Sequence, residues 1–74
     1  MDINDIRQVV DTFRKQGISD LEIAKSFVNL FIDGKVNCEQ CNALLSFVNY
    51  HIPKDILRAN PRAQLAFAKD FLKK

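Results

Sequence analysis

The amino-acid sequence predicts an all-α fold, a compact bundle of four to five short helices joined by tight loops. Apolar residues recur at helical spacing along most of the 74 residues, and no stretch alternates as a half-buried strand does. Polar N-cap residues precede three of the apolar stretches. The two glycines and two prolines all fall at predicted helix boundaries. A chain of this length accommodates one domain, so we expect residues 1–74 to form a single helical unit.

The first helix is predicted over residues 2–16. Asp2 or Asn4 is expected to cap its start, and Gly17 suits the left-handed residue that ends a helix. Its apolar stripe comprises Ile3, Ile6, Val9, Val10 and Phe13, with Val9 widening it. We expect this stripe to face the core of the bundle.

The second helix is predicted over residues 20–33, ending at Gly34. Ser19 and Glu22 have the spacing of a capping box, in which each side chain accepts a hydrogen bond from the backbone N–H of the other residue. Apolar residues cover most of the helix circumference: Leu21, Ile23, Ala24, Phe27, Val28, Leu30, Phe31 and Ile32. A helix of this kind lies at the centre of its domain or is covered by a partner.

The third helix is predicted over residues 38–50, with Asn37 and Gln40 in capping-box positions. Its inward stripe comprises Cys41, Leu44, Leu45 and Val48. Phe47 and Tyr50 lie on the flank of that stripe, where an aromatic side chain serves a core or an interface equally well.

Prolines mark the boundaries in the last part of the chain. Pro53 ends the third helix or opens a short helical turn over residues 54–59. Asn60 followed by Pro61 is typical of an N-cap and the first residue of a helix, which predicts a last helix over residues 61–73.

Cys38 and Cys41 form a Cys-x-x-Cys pair at the start of the third predicted helix. Redox chemistry of the thioredoxin type needs a βαβ context, which the sequence does not predict. A structural zinc site needs four ligands, and His51 is the one histidine of the chain. We therefore expect both cysteines to be small apolar core residues, with a metal or a redox role as the alternatives.

Basic residues concentrate towards the C-terminal end. Residues 54–74 hold six Lys or Arg against two Asp, a balance of +4, whereas residues 1–53 hold five against seven Asp or Glu, a balance of −2. The predicted basic patch comprises Arg58, Arg62, Lys69 and Lys73. Residues 17–24, from Gly17 to Ala24, resemble the turn of a helix-turn-helix motif. These two features make a nucleic-acid-binding transcriptional regulator the alternative function.

The sequence lacks the residue patterns that enzymes and cofactor-binding proteins use. His51 has no nucleophile or carboxylate near it in the sequence, and neither a glycine-rich phosphate loop nor a paired metal-ligating motif is present. We therefore expect no enzymatic activity and no catalytic, cofactor-binding or metal site. No apolar run is long enough to span a membrane, and no signal peptide is evident, so the expected location is the cytoplasm.

Apolar residues make up 47% of the chain, which is more than four short helices can hide in so small a domain. We expect the surplus to contact a protein partner through Phe27, Leu30, Phe31, Phe47 and Tyr50. The predicted function is a small non-enzymatic interaction module, namely a regulator, an inhibitor or an immunity-type protein. A second copy of the chain, in a homodimer, is one of the candidate partners.

Overall fold

The computed structural model describes residues 3–74, with the backbone alone described for Ile3. Within these residues the chain forms helices and no strand, which confirms the predicted all-α bundle. The helices are α1 (Ile3–Lys15), α2 (Asp20–Ile32), α3 (Cys38–Ser46), the short α4 (Lys54–Leu57) and α5 (Pro61–Phe71). None of them is long and apolar enough to cross a membrane.

Helix α2 lies at the centre of the bundle. It packs against α1, α3 and α5, while the short α4 packs against α5. Four of its side chains, Ile23, Ala24, Phe27 and Val28, are buried, and Ile23 and Ala24 have no exposed surface. The central position of α2 therefore accounts for an apolar surface that covers most of its circumference.

The core is built from every long helix and is entirely apolar. No polar or charged side chain of the described residues is buried. Burying a large aliphatic side chain contributes about 1.5–3 kcal/mol, so these residues dominate the stability of the bundle. The buried residues are Val10, Ile23, Ala24, Phe27, Val28, Cys38, Cys41, Leu44, Leu45, Val48, Ile52, Ala68 and Phe71.

Polar side chains cap the starts of three helices, as the sequence predicts. Ser19 Oγ accepts a hydrogen bond from the backbone N–H of Glu22 at 3.2 Å. At α3 both halves of the capping box form, because Asn37 and Gln40 each accept from the other's backbone N–H at 2.8 Å. Asn60 accepts from the backbone N–H three residues later at 2.9 Å. At α2 the structure contains the Ser19 half of the predicted box.

Gly17 ends α1 in the left-handed conformation expected of it, with φ at 82°. The backbone N–H of Ile18 then donates to the carbonyl oxygen of Phe13 at 3.0 Å, which closes a Schellman motif. Gly34 ends α2 in the same way, with φ at 78°.

The third helix is shorter than the sequence pattern predicts. It ends at Ser46 instead of near Tyr50, because Asn49 takes a left-handed conformation with φ at 64°. The backbone N–H of Tyr50 donates to the carbonyl oxygen of Leu45 at 3.1 Å, the same closing bond that follows Gly17. Asparagine is the residue that most often replaces glycine at this position. Asn49 therefore marks the end of α3, although apolar residues continue at helical spacing beyond Ser46.

Other boundaries differ from the prediction by a few residues. Asn4 lies inside α1 and does not cap it, and Asp2, the other predicted cap, is outside the described residues. Pro53 is the N-cap residue of α4, whereas Pro61 occupies the first turn of α5 as predicted. Val9 is 39% exposed, so its predicted place in the inward stripe of α1 is wrong.

Candidate functional site on helix α1

Helix α1 contributes less to the core than the other long helices. Of its described side chains, Val10 alone is buried, while Ile6 and Phe13 are half-buried against the core. Helices α2 and α3 bury four side chains each. A large part of the apolar surface of α1 therefore stays in contact with solvent.

A shallow open depression runs along this exposed side, and we call its lining the α1 face. It comprises Asp5, Gln8, Val9, Thr12 and Phe13. Val9 and Leu65 are the exposed large apolar residues of the described chain, and Val9 lies within this depression. The Thr12 hydroxyl donates to the carbonyl oxygen of Gln8 at 2.8 Å, so it needs no acceptor from a partner protein. The α1 face is thus an apolar centre with a polar rim, and Asp5 is its one charged residue.

A second depression lies on the other side of α1, where it meets the end of α3. It is lined by Arg7, Val10, Asp11, Arg14 and Phe47. Arg14 lies at one end of it and forms hydrogen bonds with the start of α2 and the end of α3. Its Nε donates to Asp20 Oδ1 at 2.9 Å, and its Nη2 donates to Asp20 Oδ2 and to the Phe47 carbonyl oxygen at 3.3 Å each. The hydrogen bond to Asp20 raises the pKa of Arg14.

The five residues predicted to contact a partner all take part in packing the bundle. Phe27 is 6% exposed and lies in the core, so little of its side chain is available to a partner in this conformation. Leu30, Phe31, Phe47 and Tyr50 are half-buried against the core. The Tyr50 ring meets the Phe71 ring edge-on, with centroids 5.6 Å apart. Val9 and Leu65 have a larger exposed fraction than any of these five residues.

The four residues of the predicted basic patch are all exposed on α5 and its neighbouring turns. Lys73 lies 3.6 Å from Asp70, with both side chains more than three-quarters exposed. Such a pair contributes little to stability.

The segment that resembles a helix-turn-helix leads into the core. Ile23 and Ala24 are fully buried, and α2 lies between three other helices. On α3, which would follow as the recognition helix, the Gln40 side chain is held in the capping box. Asn42 Oδ1 accepts from the backbone N–H of Ile52 at 2.7 Å. These polar groups already have partners within the bundle.

Both cysteines are free thiols inside the core, 7% and 1% exposed at Cys38 and Cys41. The Cys41 thiol donates to the carbonyl oxygen of Phe27 at 3.7 Å. Burial, with a smaller effect of the Cys38 charge, raises the pKa of Cys41 to about 11. Burial, with a smaller effect of Glu39, also raises the pKa of Cys38. Both thiols are therefore protonated near neutral pH, whereas nucleophilic and metal-binding cysteines are thiolates.

Residues 3–74 contain no group of three or more side chains placed to hold a metal ion. His51 is exposed, in the segment between α3 and α4.

The sequence pattern missed the α1 face because Val9 fits an inward stripe as well as an outward one. Val9 and Val10 are neighbours, about 100° apart around a helix, so the core can cover one of them more fully than the other. The sequence pattern places the surplus of apolar residues on α2 and the flank of α3, whereas which valine of α1 stays exposed is set by how α1 packs on α2. Comparison with known proteins found no matching family model, no similar curated protein and no similar solved structure.

Proposed function

We propose that this chain is a helical interaction module that binds a protein partner through the α1 face. The observation that carries the proposal is the 39% exposure of Val9 within a depression also lined by Phe13. The module acts by occupying its partner, as a small regulator, inhibitor or immunity-type protein does.

The chemistry of the α1 face supports a helical partner. The depression follows the axis of α1, and its apolar residues Val9 and Phe13 are separated by one turn. An amphipathic helix with apolar residues three or four positions apart fits such a surface. Covering Val9 removes apolar surface from water, which contributes about 25 cal/mol for each Å². A cation on the partner, opposite Asp5, would complement the one charge of the face.

This proposal moves the predicted interface from α2 to α1. Phe27 is committed to the core, whereas Val9 can be covered without disturbing any packed side chain. Cys38 and Cys41 are free thiols, which fits action in a reducing compartment such as the cytoplasm.

The test is a charge introduced at Val9. Val9→Glu leaves the core intact, because Val9 lies largely outside it, and places a carboxylate next to Asp5 in the proposed interface. Leu65→Glu is the matched control, since Leu65 is 36% exposed on a different helix. Both variants are compared with the parent chain by circular dichroism and thermal unfolding, to establish that all three are equally folded.

Self-association is measured first, by light scattering over about two orders of magnitude in concentration. If the chain dimerises through the α1 face, Val9→Glu is monomeric and Leu65→Glu is not. If all three chains are monomeric, they are immobilised and used to capture proteins from the source cell. The proposal requires a protein that the parent and Leu65→Glu retain and Val9→Glu does not. Equal retention by all three chains, or retention of nothing, contradicts it.

A further inference from the structure

We propose that a second surface, on α5, binds the phosphodiester backbone of nucleic acid. We call this surface the α5 basic face. It comprises Arg62, Lys69 and Lys73 along α5, together with Arg58, the C-cap residue of the neighbouring α4, and all four are exposed. It lies on a different helix from the α1 face and does not depend on the function proposed for that face.

The geometry of α5 brings the cations onto one side. Arg62 and Lys69 are seven residues apart, about two turns, so they project from the same side of the helix about 10 Å apart along its axis. Lys73 follows one turn later, just past the last residue of α5. The opposite side carries Ala68 and Phe71, which are 2% and 3% exposed. The row of cations therefore points away from the core.

Nearby acids cancel only part of the positive charge of this region. Residues 54–74 hold six Lys or Arg against Asp55 and Asp70. In the part of the chain that the structure describes, the ion pairs are Arg14–Asp20 and the exposed Lys73–Asp70 contact. Neither pair involves Arg62 or Lys69, so within this part of the chain both cations are available to an external anion.

Nucleic acid fits this face better than a membrane does. A helix that lies on a lipid surface must offer its apolar side to the acyl chains. The apolar side of α5 is in the core, where Phe71 packs against Tyr50 and Phe67 packs against Phe71. Leu65 is the one large apolar residue of α5 that is exposed. Nucleic acid requires only a row of cations, because its phosphates are closely spaced along the strand.

The expected affinity for nucleic acid follows from the number of cations on the α5 basic face, which is four. Phosphate contacts release condensed counterions, and each contact adds about 0.9 to the negative slope of log K against log salt on duplex DNA. Three or four contacts therefore predict a slope of about −3 to −4 and a dissociation constant of about 10⁻⁴ to 10⁻⁶ M, without sequence preference.

The experiment is a salt titration of the full chain with a fluorescent DNA duplex of about 20 base pairs and with a single strand of the same length. Arg62→Gln with Lys69→Gln removes two cations from the face. Lys15→Gln with Lys35→Gln lowers the net charge equally but lies outside α4 and α5. All four positions are exposed, and circular dichroism verifies that each double variant is folded. Vesicles of mixed anionic and zwitterionic lipid form a third arm.

The proposal predicts binding to one or both nucleic-acid probes, with affinity falling as salt rises. The variant at Arg62 and Lys69 should bind at least about tenfold more weakly at low salt, with a slope reduced by about 2. The control variant should show less than half of that loss of affinity and less than half of that reduction in slope. No binding at low salt, equal weakening by the two double variants, or binding to vesicles alone overturns the proposal. Comparison of the dissociation constants for the duplex and the single strand shows which form of nucleic acid the face prefers.

Discussion

The guanidinium of Arg14 holds the carboxylate of Asp20 with two hydrogen bonds, at 2.9 and 3.3 Å, across the turn that Gly17 makes. The same guanidinium donates to the carbonyl oxygen of Phe47 at 3.3 Å. One side chain on α1 therefore contacts the start of α2 and the end of α3. Together with the buried Val10 and the half-buried Ile6 and Phe13, this polar contact holds α1 against the bundle.

Replacing Arg14 should loosen α1 selectively. Arg14→Met keeps the aliphatic stem but removes all three hydrogen bonds, so we expect the backbone amides of α1 to exchange with solvent faster relative to those of α2. Hydrogen exchange followed by mass spectrometry measures this difference. Lys15→Met is the control, since Lys15 is exposed and next in the sequence. Equal exchange rates in α1 for both variants would show that the Arg14 contacts do not hold the helix.

The capping box at α3 predicts unequal costs for its two halves. Asn37→Ala removes the bond to the backbone N–H of Gln40 and should lower the free energy of unfolding by about 1 kcal/mol. Gln40→Ala removes the return bond and should cost less, because alanine is the stronger helix former inside α3 and offsets part of the loss. Urea denaturation of the two variants gives both values. A larger loss for Gln40→Ala would contradict the assignment of Asn37 as the principal cap.

The turn at Gly17 predicts a cost from backbone conformation alone. A Cβ added there would meet no atom within 4 Å, so Gly17→Ala creates no collision. The φ of 82° nevertheless disfavours alanine, and we expect a loss of about 1–2 kcal/mol. Gly17→Asn should lose less, because asparagine tolerates this conformation, as Asn49 does in the same protein. Thermal unfolding compares the two variants, and equal losses would point to a different cause.

The Cys41 thiol predicts a decline in stability at alkaline pH. Its pKa is raised from 9.0 to about 11 in the folded chain, so the folded state holds the thiol proton more tightly than the unfolded state does. The free energy of unfolding is therefore unaffected by this thiol below pH 9. It falls as the pH rises from 9 to about 11, because the thiol ionises more readily in the unfolded state. A shift of this size corresponds to a loss on the order of 2 kcal/mol.

Cys41→Ala is the comparison that isolates this effect. All other titratable residues are identical in the two chains, so the difference between the two stability curves isolates Cys41. We expect the parent to be the more stable chain at neutral pH, because the substitution leaves a small cavity in the core. That advantage should shrink between pH 9 and 11, as measured by urea unfolding. A constant difference across this range would show that Cys41 ionises equally in both states.

Features set by a few neighbouring residues were predictable from the sequence, whereas features set by packing were not. Ser19, Asn37 and Asn60 cap helices because a short polar side chain reaches a backbone N–H three residues later, whatever surrounds it. Gly17 ends α1 for an equally local reason.

Phe27 and Val9 illustrate the other case. Both belong to apolar patterns that fit more than one orientation of the helix. Their exposures of 6% and 39% depend on how α1, α3 and α5 surround α2, which no local pattern specifies. The sequence pattern therefore predicts a contact surface on α2, whereas the surface proposed from the structure lies on α1.

Helix α1 contributes little to the core, and this affects how such a protein can change during evolution. Substitutions at Gln8, Val9 or Thr12 touch the proposed contact surface but leave the packed interior as it is. If the α1 face binds a partner as proposed, the chain can acquire a new one by altering one helix, without first gaining stability elsewhere to survive the change. Phe13 is the one residue of the α1 face that also packs against the core, so the proposed contact surface and the interior share a single side chain.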